Sequence, residues 1–178
     1  LDEETLAEDE PISGVMAEIC AEISTNFVQI QKLFCSDSGG CTDLFISEYV
    51  EGNSNNKALE LYNPTPFPVD LSEYTISTFN NGNTTPTNQD LLQGTLNPGE
   101  VYVISHGQAS AFITNEADNT SNTTWFNGND AIALYHNGVL IDIMGVIGYT
   151  GDASFDVNGV TEGMSEHTLV RNPLINGG

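Results

Sequence analysis

From Thr42 onward, apolar residues alternate with polar ones in short runs, and each run is stopped by a cluster of Gly, Pro or Asn. A period of two puts every second side chain on one face, which is the signature of a half-buried strand. Leu44–Val50 is one such run, followed by a turn at Gly52-Asn53-Ser54-Asn55-Asn56. Lys57–Asn63 is a second, stopped by Pro64 and Pro66. Val69-Asp70-Leu71 and Tyr74–Phe79 follow, then a polar loop from Asn80 to Gln89. Asp90–Leu96 leads to a turn at Asn97-Pro98-Gly99, and Val101–Ser105 reads as a central strand. A loop rich in Asn and Thr spans His106 to Asn129. Ala131–Tyr135 and Val139–Met144 flank His136-Asn137-Gly138, where Asn-Gly supplies the positive φ angles of a hairpin turn. Thr168–Arg171 is the last short strand. Many short strands without long helices between them imply an antiparallel sandwich or barrel.

The region before Thr42 has a different period. Residues 1–11 are an acidic, flexible lead-in ending at Pro11. Ile12, Val15, Met16, Ile19, Ile23, Phe27, Ile30 and Phe34 recur at spacings of three and four, which predicts a helix that Ser13 can cap. The same stretch also reads as alternating over Val15–Ile19. Its apolar stripe packs either on the following domain or on a neighbouring subunit. Cys35 and Cys41 bracket Ser-Asp-Ser-Gly-Gly, a loop supple enough for a disulfide, leaving Cys20 free or intermolecular. Cys20 with Cys35 is the competing pair, but on one straight helix they would lie roughly 22 Å apart. Three reduced thiols are the remaining alternative.

Charge narrows the function classes. The chain holds 25 acidic and 3 basic side chains, a net charge of −22. Lys32, Lys57 and Arg171 are too few and too scattered to displace phosphate counterions, so direct binding of nucleic acid or an anionic membrane is not expected. No stretch approaches the roughly 20 apolar residues of a membrane span. Low Lys with much Asp and Asn suits a secreted protein in salty or calcium-containing water. The first residue is Leu1, and the opening is acidic rather than basic-then-apolar, so the chain reads as a processed product or a fragment.

Catalytic patterns are sparse. His106, His136 and His167 are dispersed and read as surface or loop residues, and no Gly-x-Ser-x-Gly occurs. A metal-dependent phosphodiesterase needs several Asp, Glu, His or Asn around its ions, and no run supplies them. Calcium is the better chemical expectation. Asp152, Asp156 and Asn158 lie on a Gly-bounded loop of oxygen ligands, and Asp118, Asn127, Asn129 and Asp130 form a second candidate set. The loop is no EF-hand, because Ser154 and Ser165 occupy its first and twelfth positions. Asx turns are the alternative for both groups. Lys57, on the same side of its strand as Leu59 and Leu61, either snorkels to the sheet edge or pairs with a carboxylate. Asn83, Asn119 and Asn122 match the N-glycosylation pattern, which chance explains in a chain this rich in Asn and Thr.

Five collinear segments carry a resemblance. Ile46–Thr65, with Glu-Gly-Asn-Ser-Asn-Asn-Lys-Ala-Leu-Glu-Leu-Tyr-Asn-Pro at its heart, resembles the first two strands of the bacterial lamin tail domain. Val69–Tyr74 resembles its next element and Leu96–Ile104 its Leu-x-Pro-Gly turn and strand. Phe126–Leu134 resembles its Phe-Asn-Gly-Asp-Asp-Ala-Ile-Ala-Leu hairpin, with Asn129 where Asp is common, and Thr168–Pro173 its closing strand. The resemblance covers about 43–173 and implies an immunoglobulin-like β-sandwich; the helical segment and cysteine loop of 12–42 and the tail at 174–178 lie outside it. It also implies an accessory module, of the kind that accompanies secreted nucleases, phosphatases and surface proteins, with no catalytic residues to carry over. The expected function is therefore a non-catalytic extracellular module that tethers or positions a partner or a catalytic domain. The alternatives are a structural subunit of an extracellular assembly and part of a secreted metal-dependent nuclease. Expected partners are a protein or the chain's own subunits, with calcium the one cofactor in view.

Overall fold

A computed structural model describes residues 43–172 and Gly178. The predicted helix with its apolar stripe, the three cysteines and the acidic lead-in lie outside the described residues.

The strands are β1 (Phe45–Glu51), β2 (Lys57–Tyr62), β3 (Val69–Asp70), β4 (Tyr74–Phe79), β5 (Asn88–Leu91) and β6 (Thr95–Leu96). They continue with β7 (Val101–Ser105), β8 (Asn119–Thr120), β9 (Ala131–His136), β10 (Val139–Met144) and β11 (His167–Val170). One sheet has the order β11-β1-β2-β7-β8 and the other β10-β9-β4-β5, with β3 and β6 paired at one end. This is the mainly β, immunoglobulin-like sandwich expected of the sequence, with one exception to its antiparallel rule: β7 and β8 pair in parallel.

The core sits where the inward faces meet. Leu59, Leu61 and Ile104 of the first sheet pack against Ile76, Ile132 and Leu134 of the second. All six are fully buried, and each such side chain contributes about 2 kcal/mol. Tyr49 stacks on Phe126 at 4.9 Å within the same layer. The β9–β10 hairpin turns as its Asn-Gly pair predicts: Asn137 and Gly138 have φ of 48° and 78°.

The two long edges of the sandwich are built differently. At one edge, bulges in β1 near Ser47 and in β10 near Ile141 re-aim the strands toward each other. There the fully buried Asp142 accepts from Ile46 N–H at 2.8 Å and Ile143 N–H at 2.9 Å. Arg171, just past β11, donates to Asp142 at 2.7 Å and to the Ile46 carbonyl at 2.9 Å. Its guanidinium lies 5.2 Å from the Phe45 ring centre. This clasp ties β1, β10 and the end of β11 together. The opposite edge, where β5 faces β7 and β8, has no such clasp; a 3-10 turn, Asn122–Thr124, packs against β5 and leaves a gap beside it.

Three local expectations are corrected. Asn88 and Gln89, placed in a polar loop, begin β5, because they complete a ladder with Thr78 and Ser77. Val101–Ser105 is next to the sheet's edge rather than central, since β8 covers only Ile104 and Ser105. The long loop after it holds β8, a one-turn helix, α1 (Ala111–Thr114), and a 3-10 turn at Asn122–Thr124.

Candidate functional site

The open edge forms a mouth between the sheets, a cavity of about 690 Å³. Register explains why it is polar. Asp90 lies opposite Ile76 and Asn88 opposite Thr78, so both face the other sheet, where the remaining strands present apolar side chains. Across the gap, Asn119 Nδ2 donates to Asp90 Oδ2 at 3.1 Å, the one side-chain hydrogen bond that joins β5 to β8. Asp118 grips the outer side of β7: its N–H donates to the Val103 carbonyl at 2.9 Å and its Oδ2 accepts from Val103 N–H at 2.8 Å. Tyr102 shares an inward face with Ile104 and reaches the mouth. Burial pushes its phenol pKa up, and the charges of Asp118 and Asp90 push it further in the same direction. Leu91 and Val101 form an exposed apolar rim, 52% and 41% accessible, and Glu100 stands beside them. The mouth thus combines three carboxylates, a phenol and a short apolar lip, with no cation among its lining residues. The sequence singled out only Asp118 of these. The available signal for the rest was Asp90, a charge at an inward position, legible only once the register is known.

The candidate calcium ligands are spread over three places. Asp118 belongs to the mouth. Asn127, Asn129 and Asp130 form the turn before β9. There Asp130 accepts from the backbone N–H of Asn81 at 2.8 Å and of Asn127 at 2.7 Å, and from the Asn80 amide at 3.0 Å. Asn129 donates to the Gly151 carbonyl at 3.1 Å. Asp152, Asp156 and Asn158 sit in the loop after β10. Asp156 accepts from Glu162 N–H at 2.7 Å, and Asn158 takes φ of 50° in the tight turn that pairs Val157 with Val160. Among the described residues no three His, Cys, Asp or Glu converge on a point fit for a metal ion.

Of the histidines, His167 is a surface residue, while His106 and His136 are packed against other parts of the chain, and Lys57 takes the second of its two alternatives. His106 is buried, 5% accessible; it accepts from Gln108 N–H at 3.0 Å and stacks on Trp125 at 5.5 Å. Burial, with Lys57 nearby, lowers its pKa. His136 stacks on Tyr74 at 4.3 Å, with Nδ1 2.7 Å from Asp43 and Nε2 3.2 Å from Glu73. Burial pulls its pKa down, but the hydrogen bonds and charges of the two carboxylates outweigh that and raise it. His167 is exposed at the start of β11. Lys57 does not snorkel: it lies buried in an ion pair with Glu51, directly across the β1–β2 ladder. Glu51 also accepts from Glu166 N–H. A lone buried ammonium would be prohibitive, and the facing carboxylate is what permits the lysine there.

No curated protein matches the chain. The family model for the Lamin Tail Domain matches residues 38–148, more than half of its length. That span covers β1 through β10; β11 and the Arg171 clasp follow it. The chain belongs to the lamin tail domain family.

Proposed function

We propose that the chain is a non-catalytic extracellular module that tethers or positions a partner protein or a catalytic domain. The observation that carries this reading is where the positive charge sits. Lys57 and Arg171, the two cations among the described residues, are both drawn inside against Glu51 and Asp142. The exterior of the sandwich is left with carboxylates, Asn and Thr, a surface that repels phosphodiesters and anionic lipids and leaves protein partners as the binding class. Secretion is supported by the acid-rich, lysine-poor composition of the whole chain.

The test has two arms. The intact chain is incubated with plasmid DNA and with bis-p-nitrophenyl phosphate in the presence of magnesium, manganese, calcium or zinc. No hydrolysis above a heat-treated control is expected; metal-dependent turnover would replace this reading with the secreted nuclease. Protease added to intact producing cells is expected to degrade the protein, and full protection would place it inside.

A second reading, a structural subunit of an extracellular assembly, is favoured by the outer edges of β5 and β11, which no described strand covers. Light scattering after size exclusion, with and without millimolar calcium, separates the two. A calcium-independent monomer supports the module, and growth with concentration supports the subunit.

A further inference from the structure

The strand β5 ends its sheet, and its register fixes which backbone groups are unused. Leu92 N–H donates to the Tyr74 carbonyl at 3.0 Å, while Leu91 lies opposite Thr75. Thr75 and Leu91 are therefore a non-hydrogen-bonded pair, and the N–H and C=O of Leu91 point away from β4. Two residues earlier, Gln89 repeats the orientation. Both side chains are exposed, and no described strand lies beyond them. The strand holds no Pro, no Lys and no bulge, the usual devices that blunt an edge.

It does hold one device, the inward carboxylate of Asp90. An inward charge at an edge penalises any apolar strand that docks there, because pairing buries the charge. It penalises a second copy of this chain as well, since a copy brings its own acidic β5 and a share of the −22 charge. A strand with Lys or Arg at alternate positions converts the same penalty into an attraction. Its cations would enter the mouth where Asp90 and Asp118 both act on Tyr102. The cavity, about 690 Å³, falls in the ordinary range of binding clefts.

We propose that the mouth docks an extended basic segment of a partner protein, which adds to the outer edge of β5 as a further strand and inserts Lys or Arg between the sheets against Asp90 and Asp118. The backbone of Gln89 and Leu91 supplies the hydrogen bonds, and the two carboxylates select the cationic side chains. This names the partner class of the proposed module and rests on that reading; the hydrolysis assay tests the module without any peptide, so the two fail separately.

The experiment is fluorescence anisotropy with a labelled peptide of alternating Thr and Lys, at low and at physiological salt. Asp90→Asn with Asp118→Asn keeps the shape of both side chains and is expected to weaken binding by about tenfold or more. Leu91→Pro removes an N–H that β4 does not use and is expected to weaken it similarly. Asp152→Asn with Glu162→Gln removes the same charge elsewhere and is expected to change affinity by less than about twofold. A peptide of equal charge interrupted by Pro, which cannot form a ladder, is expected to bind weakly. Equal losses in the two charge pairs, or equal binding of the Pro-interrupted peptide, would overturn the proposal in favour of undirected attraction to an acidic surface. If Leu91→Pro fails to fold, the isosteric carboxamide pair and the interrupted peptide still decide the matter. Preference for an acidic peptide or for a second copy would also overturn it.

Discussion

Replacing Arg171 by Met tests whether the closed edge of the sandwich depends on the clasp. Arg171 is nearly buried and Asp142 fully so, with side-chain accessibilities of 9% and 0%. Removing the guanidinium leaves a carboxylate in the interior that still accepts from two backbone donors, Ile46 N–H and Ile143 N–H. Breaking one side of a buried pair costs about 3–5 kcal/mol. The two remaining N–H groups hold that cost near its lower bound, and the Ile46 carbonyl loses its Nε donor, which adds about 1 kcal/mol. A loss of about 4 kcal/mol, with a urea slope of about 2 kcal/mol per molar, moves the unfolding midpoint down by about 2 M.

The pH dependence separates this mechanism from lost packing. Burial already raises the Asp142 pKa against the opposing pull of Arg171 and the backbone donors. Without Arg171 it rises further, so the folded state binds a proton more readily than the unfolded one. The slope of unfolding free energy with pH is then negative, and the deficit of Arg171→Met grows as pH rises above the ordinary carboxylate range. Asp142→Leu in the Arg171→Met background removes the stranded charge and is expected to recover most of the stability and to flatten the profile. Urea titrations at pH 5 and pH 8 measure both quantities. A single-variant loss below about 1 kcal/mol, or one equal at the two pH values, would refute the reasoning.

Three further outcomes are expected. His136, held between Asp43 and Glu73 with a raised pKa, stabilises the fold fully below its unfolded value of 6.5, and that contribution is lost as pH rises through the folded value. Thermal melts of His136→Asn should lack the decline that the parent shows above pH 6.5. Gly145 has φ of +80°, and a Cβ there would stand 2.5 Å from the Asp130 carbonyl oxygen, so Gly145→Ala should destabilise by about 2 kcal/mol or more in urea unfolding. Asp118, Asp130 and Asp156 are already engaged by backbone N–H groups, so adding a chelator should move the melting temperature by less than about 1 °C. A calcium-dependent rise of several degrees would instead make one of those clusters an ion site.

The parts of the fold that were legible in the sequence are those held by half-burial. The strands β1, β2 and β4 and the β9–β10 hairpin show apolar alternation, because one face of each meets the core, and Asn137-Gly138 marks the turn. The strand β5 was not legible, because Asn-Gln-Asp-Leu has little strand propensity and no apolar inward face. Its conformation comes from the ladder with β4, a tertiary cause. The pairing of Lys57 with Glu51 was hidden for a related reason: six residues separate them in sequence, and only the hairpin register sets them opposite. Asp142 interrupts an otherwise apolar run, Val-Leu-Ile-Asp-Ile-Met, and its partner lies 29 residues away beyond the family match. His106 and His136 looked like loop residues because each sits at or next to a strand end. The rings that bury them, Trp125 and Tyr74, come from other parts of the chain.

The placement of the described cations bears on how any partner can bind. A carboxylate at the closed edge and one beside the β1–β2 turn have each received a cation from within the chain. Asp90 and Asp118 have received only neutral donors, an amide and a backbone N–H. Neutral hydrogen bonds orient a carboxylate without cancelling its charge, so the field of the mouth persists outward and is felt at Tyr102. A partner that supplies the missing positive charge gains there in proportion to how well it excludes water. Association at this edge should therefore accelerate as ionic strength falls, while dissociation follows the quality of the strand pairing at Gln89 and Leu91.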